Sequence, residues 1–237
     1  MVTDLRDRGY MSRPDGVDPL VDIKADRRFM ELHEECDPYT MTPIERQYAL
    51  YEAITHIHYD NIPGDIVECG VWRGGSMLLA AKTLALLGGV HRNLWLFDTY
   101  NGMTPPGPED INYAGELGDR LYSSAYLKAD LNSVRKVMST SGYPKDRIRY
   151  VEGNAIETTK GFAHSIALLR LDTDFYDSTK AELQNLYPMV VSGGIVIIDD
   201  AGHWQGSGKA MKEYFYPKPE CPHIQRIDYS ARLIVKP

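Results

Sequence analysis

Val67-Glu68-Cys69-Gly70-Val71-Trp72-Arg73-Gly74-Gly75-Ser76 runs from the end of a short β-branched segment straight into the apolar stretch 77–87. A glycine-rich turn between strand and helix lets the backbone come close to a ligand and presents free amide groups to it. Outward from this turn, strand-sized apolar segments recur at 65–68, 94–97, 148–151, 166–171, 195–198 and 232–235. Helical patterns lie between most of them, at 76–87, 131–139 and 178–187. Strand and helix in alternation predict an α/β fold, a doubly wound and largely parallel sheet covered on both faces. The end differs, because 223–228 and 231–235 are separated only by Tyr229-Ser230. That is a hairpin spacing, and it predicts one antiparallel strand near the C-terminus.

Composition bounds the rest. The chain has 237 residues, 43% hydrophobic and 25% charged, which fits a single domain over 1–237. No run approaches the roughly 18 apolar residues of a membrane span. The most apolar stretch, 190–198, is broken by Ser192-Gly193-Gly194, so an integral membrane protein is excluded. Residues 1–13 mix Asp4, Arg6, Asp7 and Arg8 without an apolar stretch, which argues against a secretory signal and makes the cytoplasm the expected compartment. Three cysteines with no C-x-x-C spacing argue against a disulfide framework and a zinc site. With 26 Lys+Arg against 33 Asp+Glu and no basic block, a nucleic-acid partner is disfavoured and a small molecule expected.

Upstream of the sheet, Thr42-Pro43-Ile44-Glu45 reads as a capping box, with the Thr42 hydroxyl as N-cap, proline at the first helical position and glutamate three residues after the cap. Tyr48, Tyr51, Ile54 and Thr55 then recur near a helical period, predicting a helix over 43–58 with one buried face. Residues 1–27, with Pro14, Gly16 and Pro19 among many charges, are expected to be loosely ordered.

The turn carries the first functional reading. A dinucleotide fingerprint needs glycine two residues after Gly70, and Trp72 stands there, so a hydride-transferring enzyme is disfavoured. Glu68 suits a ligand with a positive group near the turn, such as the ammonium of the amino-acid moiety of S-adenosylmethionine. Asp98, at the end of the second strand, is placed to accept hydrogen bonds from both hydroxyls of a ribose. Asn154, in the turn Glu152-Gly153-Asn154-Ala155 after the third strand, can pair with an adenine edge. The candidate cofactor contacts are therefore Glu68, Gly70, Gly74, Ser76, Asp98, Asn154 and Ala155, with Thr42 reaching the methionine carboxylate. For each acid alone, helix capping or a solvated loop is the plainer reading; their joint position at successive strand ends favours one site.

The fourth strand runs into Leu171-Asp172-Thr173-Asp174-Phe175-Tyr176-Asp177 and the fifth into Ile198-Asp199-Asp200. Two unit charges about 4 Å apart repel by roughly 4 kcal/mol at an effective dielectric of 20, so gathering Asp172, Asp199 and Asp200 calls for a cation. All-oxygen ligation favours Mg²⁺. The alternative makes these acids helix N-caps, and Asp177 before Ser178-Thr179 reads as one. A hydroxyl polarised by the metal would lose its proton to a neighbouring carboxylate as it attacks a methyl group, and Asp174 is the candidate base. His203 is a second candidate base, with a hydrogen-bonded loop residue as its plainer reading.

These residues resemble the metal-dependent macrocin O-methyltransferase (TylF-like) family, which methylates hydroxyls of glycosylated natural products. The resemblance is carried by Met41-Thr42-Pro43-Ile44-Glu45-Arg46, the V-E-C-G-V-W-R-G-G-S turn, Phe97-Asp98-Thr99-Tyr100-Asn101-Gly102-Met103, Gly153-Asn154-Ala155, Leu171 to Thr179, and Ile198-Asp199-Asp200 with Gly202, Trp204 and Gly206. It implies a class I methyltransferase, Rossmann-like fold with residues 1–60 as an N-terminal helical lid. It further implies S-adenosylmethionine as cofactor, Mg²⁺ on Asp172, Asp199 and Asp200, and Asp174 as base. The expected acceptor is a sugar hydroxyl of a secondary metabolite of the antibiotic type, with a phenolic acceptor or a non-catalytic adenosyl-binding module as alternatives. A homodimer or larger assembly is also implied. Where the family commonly has a tyrosine after the paired aspartates and an arginine a few residues on, this chain has Ala201 and Gly208. Ala201 makes the pocket more open.

Overall fold

The computed structural model describes residues 18–121 and 127–237. The elements follow in the order α1 (Val21–Ala25), α2 (Arg27–Cys36), α3 (Ile44–Tyr59), β1 (Asp65–Cys69), α4 (Gly75–Leu87), β2 (Leu94–Asp98), α5 (Gly118–Leu121), α6 (Leu131–Met138), β3 (Ile148–Glu152), α7 (Ala155–Thr158), β4 (Ile166–Leu171), α8 (Tyr176–Leu186), β5 (Val190–Ile198), α9 (Gln205–Phe215), β6 (Ile224–Arg226) and β7 (Arg232–Val235). They build a seven-stranded sheet ordered β3-β2-β1-β4-β5-β7-β6. Strands β1 to β5 pair in parallel, and β7 runs antiparallel to both of its neighbours. This is the doubly wound sheet with one reversed strand that the alternation predicts, a class I methyltransferase fold. Among the described residues, no helix is long and apolar enough to cross a membrane.

Alternation along the strands sorts the core into two layers. Ile66, Leu94, Leu96, Leu168 and Ile197 face α2, α3, α4 and α6. Val67, Phe97, Leu169, Leu171 and Val196 face Leu183 and Leu186 of α8 and Met211 and Phe215 of α9. The direction of winding changes between β1 and β4, which sit side by side at the middle of the sheet. In an open parallel sheet the ligand crevice lies beyond the carboxyl ends of the strands at that switch point.

The N-terminal segment departs from expectation. The part of 1–27 that was expected to be loose and falls within the described residues is helical from Val21, and Ile23 is buried. The unanticipated α2 has Asp26 as its N-cap, accepting from the Phe29 amide at 3.0 Å, and sets Phe29 edge-on to Tyr48 of α3 at 4.9 Å. The capping box does not form. Helix α3 begins at Ile44 with Pro43 at the cap position and no side-chain cap. The Thr42 hydroxyl instead meets that of Thr40 at 3.0 Å, because the chain enters α3 through a tight Thr40-to-Thr42 turn. Nor is α3 a detached lid over its length: Gln47, Leu50, Tyr51, Ala53, Ile54 and Ile57 are buried. Only its first turn and the segment before it reach the crevice. The part of the proposed lid that precedes residue 18 lies outside the described residues.

Helix α9 went unread because Gly206 and Gly208 lower its helical propensity. Gly208 is a packing requirement, since a Cβ there would overlap the Ala201 carbonyl.

Candidate active site

Register brings the charged residues together before any loop does. Glu68 of β1 pairs with Arg170 of β4, and Arg170 with Ile197 of β5. Asp172 is two residues beyond Arg170, Asp199 two beyond Ile197, and Asp98 two beyond Leu96, the partner of Glu68. With a period of two, all five side chains leave the sheet on one face at its carboxyl edge.

A cavity of about 790 Å³ opens there, lined by Thr42, Glu68, Gly70, Ser76, Asp98, Asn154 and Ala155 and by Asp172, Asp174, Asp199, Asp200 and His203. Gly74 is the one candidate cofactor residue that does not line it. It turns the chain at φ +90° toward α6, where an added Cβ would lie 3.3 Å from Val134 Cγ1. Gly70, at φ +84°, does line the cavity, and a Cβ there would overlap the Asp172 carbonyl. Trp72 also sits in the left-handed region, at φ 45°.

Two cofactor contacts are occupied in part by the protein itself. Asp98 Oδ2 accepts the amides of Val71 and Trp72 at 2.6 and 3.0 Å, and Oδ1 accepts that of Tyr100 at 2.7 Å. Part of the acceptor capacity of Asp98 is thus already used, and it also braces the glycine-rich turn. Asn154 caps α7, with Oδ1 accepting from the Ile156 amide at 3.0 Å, which leaves its amide group to face the cavity.

Glu68 is buried, and Arg170 donates to its Oε1 at 2.5 Å. Among the described residues its Oε2 has no partner. Burial pushes this carboxyl up to about 8 against the pull of Arg170. A buried acceptor of this kind, on a cavity wall, matches a cationic ligand group.

The acidic rim forms as expected, with carboxylate oxygens of Asp172, Asp199 and Asp200 all within 4.8 Å of one another. The inference from repulsion to a metal needs correction, because two arginines already stand in the cluster. Arg170 binds Asp172 Oδ2 at 2.7 Å and Asp199 Oδ1 at 2.5 Å. Arg46, from the first turn of α3, binds Asp199 Oδ2 and holds Asp228 Oδ2 at 2.7 Å. They do not neutralise the whole. Burial and the neighbouring carboxylates push Asp172 up to about 6 and Asp200 well above the ordinary range. Asp200 Oδ2 is buried without a partner among the described residues. An all-oxygen donor set with an orphaned carboxylate oxygen fits a hard divalent cation.

Asp174 has φ 66°, a left-handed backbone unusual for aspartate, and Trp204 Nε1 donates to its Oδ1 at 2.9 Å. Burial, helped by the charge of Asp172, pushes it up to about 8. His203 meets the Tyr229 hydroxyl through Nδ1 at 3.0 Å and lies edge-on to Tyr113 at 5.2 Å. Burial and Arg46 lower its pKa, so the ring is neutral near pH 7. Asp177 is not an N-cap: α8 starts at Tyr176, whose amide is accepted at 2.8 Å by Asp110 from the β2–α5 loop, leaving Asp177 in the first turn.

Sequence reading missed Arg46, Arg170, Glu182 and the Trp204 contact. A signal existed for Arg170, the lone charge in the apolar run Ile166 to Leu171, because a charge in a strand buried on both faces requires partners. Glu182, wholly buried in α8, receives the Thr173 hydroxyl at 2.9 and 3.1 Å. Burial raises it from 4.5 to about 8, so across that window the folded state holds a proton that the unfolded state releases, and stability falls as pH rises. Glu182→Gln keeps an acceptor for Thr173. It is expected to exceed the wild type at pH 8 by about 1–3 kcal/mol and to lose the advantage by pH 4.5, read from melting curves at both values.

The profile of the family described as macrocin-O-methyltransferase (TylF) matches residues 21–234. The chain is 34% identical over 178 residues, 74% of its own length and 67% of the relative's, to the 8-demethyl-8-(2,3-dimethoxy-alpha-L-rhamnosyl)-tetracenomycin-C 4'-O-methyltransferase of Streptomyces olivaceus. It is 32% identical over 165 residues, 68% of its length and 65% of the relative's, to the mycinamicin III 3''-O-methyltransferase of Micromonospora griseorubida. The structure of the O-methyltransferase NovP superposes with a TM-score of 0.75 at 27% identity, over 84% of this chain and 82% of NovP. The calicheamicin methyltransferase CalS11 shares the fold, with a TM-score of 0.66 at 19% identity over 87% of this chain and 90% of CalS11.

Proposed function

The chain belongs to the macrocin-O-methyltransferase (TylF) family of S-adenosylmethionine-dependent O-methyltransferases, and we propose that it methylates a sugar hydroxyl of a glycosylated secondary metabolite with the help of Mg²⁺. The observation that carries this reading is a pair of buried carboxylate oxygens without partners among the described residues, Glu68 Oε2 and Asp200 Oδ2, in residues that line one cavity. The first suits the ammonium of the methyl donor and the second a divalent cation. The relatives named for a rhamnosyl tetracenomycin and for mycinamicin III favour a glycosylated acceptor.

In this reading Glu68 and Asp98 orient the donor, with the amide of Asn154 on the adenine edge. Asp172, Asp199 and Asp200 would hold Mg²⁺, which when bound makes an adjacent hydroxyl more acidic. Asp174 receives the acceptor's proton at Oδ2, since Trp204 occupies Oδ1. The new carbon–oxygen bond forms as the methyl–sulfur bond breaks, leaving S-adenosylhomocysteine. Burial pushes the Asp174 carboxyl up, which makes its ionised form a stronger proton acceptor than an ordinary carboxylate. His203, with Tyr113 and Tyr229, forms an aromatic corner beside the acids, where an acceptor ring can lie.

The test is a panel of rhamnosides and other glycosides, each with its aglycone, incubated with protein, Mg²⁺ and donor carrying a labelled methyl group. Label is expected in glycosides and not in the aglycones. Transfer to phenolic aglycones alone would refute the sugar acceptor.

A further inference from the structure

Arg170 joins Glu68 to two acids of the rim with one guanidinium. Nη1 lies 2.5 Å from Glu68 Oε1 and 2.7 Å from Asp172 Oδ2, while Nη2 lies 2.5 Å from Asp199 Oδ1. Its side chain is 5% exposed, so water contributes little to balancing these contacts. Asp200 lines the same cavity, and among the described residues no hydrogen bond or ion pair joins it to Arg170.

We propose that Arg170 is a positioning residue that couples donor binding at Glu68 to the carboxylate of Asp172. This rests on the reading of Glu68 as the acceptor of the donor's ammonium. The guanidinium is planar and always charged, and its Nη1 is shared between Glu68 and Asp172. Bridged to the Asp172 carboxylate, the guanidinium gives part of its charge there, and Glu68 keeps more of its own for the ligand at Oε2. With an amide in place of that carboxylate the guanidinium commits to Glu68, and the ammonium finds a weaker partner. Direct Coulomb action of Asp172 on the ligand acts without Arg170, and would persist once the bridge is removed.

The experiment is calorimetric titration of the full chain, with chelator present, using two probes: S-adenosylhomocysteine, which carries the ammonium, and 5′-methylthioadenosine, which lacks it. Glu68→Gln is expected to weaken the first probe and spare the second. Asp172→Asn should raise the Kd of S-adenosylhomocysteine by about 5–10-fold, a coupling of ordinary size, while Asp200→Asn changes it less than about twofold. Neither should move the affinity for methylthioadenosine. In an Arg170→Lys background, where a single ammonium cannot bridge the carboxylates, adding Asp172→Asn should no longer shift the Kd. Equal shifts from Asp172→Asn and Asp200→Asn would overturn the coupling, as would a shift that persists with lysine or appears equally with methylthioadenosine. Should Arg170→Lys fail to fold, Arg170→Gln supplies the background without a bridge, and a shift from Asp172→Asn that persists there overturns the coupling. A Glu68→Gln protein that binds S-adenosylhomocysteine normally would instead overturn the reading of Glu68, and the coupling with it.

Discussion

Asp174→Asn is expected to lower turnover by about 10²–10⁴-fold while the protein still binds donor and divalent cation, the usual range for removing a general base. The substitution is nearly isosteric, and an amide oxygen can still accept from Trp204 Nε1, now 2.9 Å from Asp174 Oδ1. What is lost is the proton acceptor at the other oxygen. Asp172→Asn separates base from ligand, since it should weaken binding of the cation, read with Mn²⁺ as a paramagnetic probe. Measured under saturating donor, near-normal turnover of Asp174→Asn together with loss of turnover in His203→Ala would move the base to the imidazole. In that case Nε2 would be the proton acceptor, since His203 Nδ1 already meets the Tyr229 hydroxyl at 3.0 Å.

Asp98→Ala is expected to lower the affinity for S-adenosylhomocysteine by about 10²-fold or more. One charge-assisted hydrogen bond to a ribose hydroxyl contributes roughly 1.5–3 kcal/mol. The same change strands the amides of Val71 and Trp72, which Asp98 Oδ2 now accepts, so the glycine-rich turn loses its brace as well as the ligand its partner. Asp98→Asn keeps one oxygen for the turn and should fall between wild type and alanine. Calorimetric affinities within about threefold of wild type for both variants would show that Asp98 serves neither purpose.

The sheet was legible because six of its seven strands announce themselves by local apolar composition, and the alternation with helices leaves few topologies open. The hairpin followed from the shortness of Tyr229-Ser230. Helix α9 was not legible, since its reason for tolerating Gly208 is the Ala201 carbonyl, a neighbour that sequence does not display. The capping box at Thr42 misled for a related reason: the motif is sound chemistry, but the Thr40 hydroxyl competes for the same side chain. At the site, the acids at the strand ends could be found because position along a parallel strand fixes the rim they reach. Their partners could not. Arg46 arrives from α3 and Trp204 from the start of α9, and only the folded chain brings them to Asp199 and Asp174. The presence of two arginines also changes why a cation is expected: the orphaned Asp200 Oδ2 now carries that expectation, in place of unrelieved repulsion among three aspartates.

Methyl transfer from labelled S-adenosylmethionine to a glycoside acceptor, measured on protein stripped with chelator and then titrated with Mg²⁺, tests the central claim most directly. Transfer is expected to vanish in the stripped protein and to return with Mg²⁺, while Asp200→Asn requires far more Mg²⁺ for the same rate. Undiminished transfer in excess chelator, with Asp200→Asn indistinguishable from wild type, would contradict it.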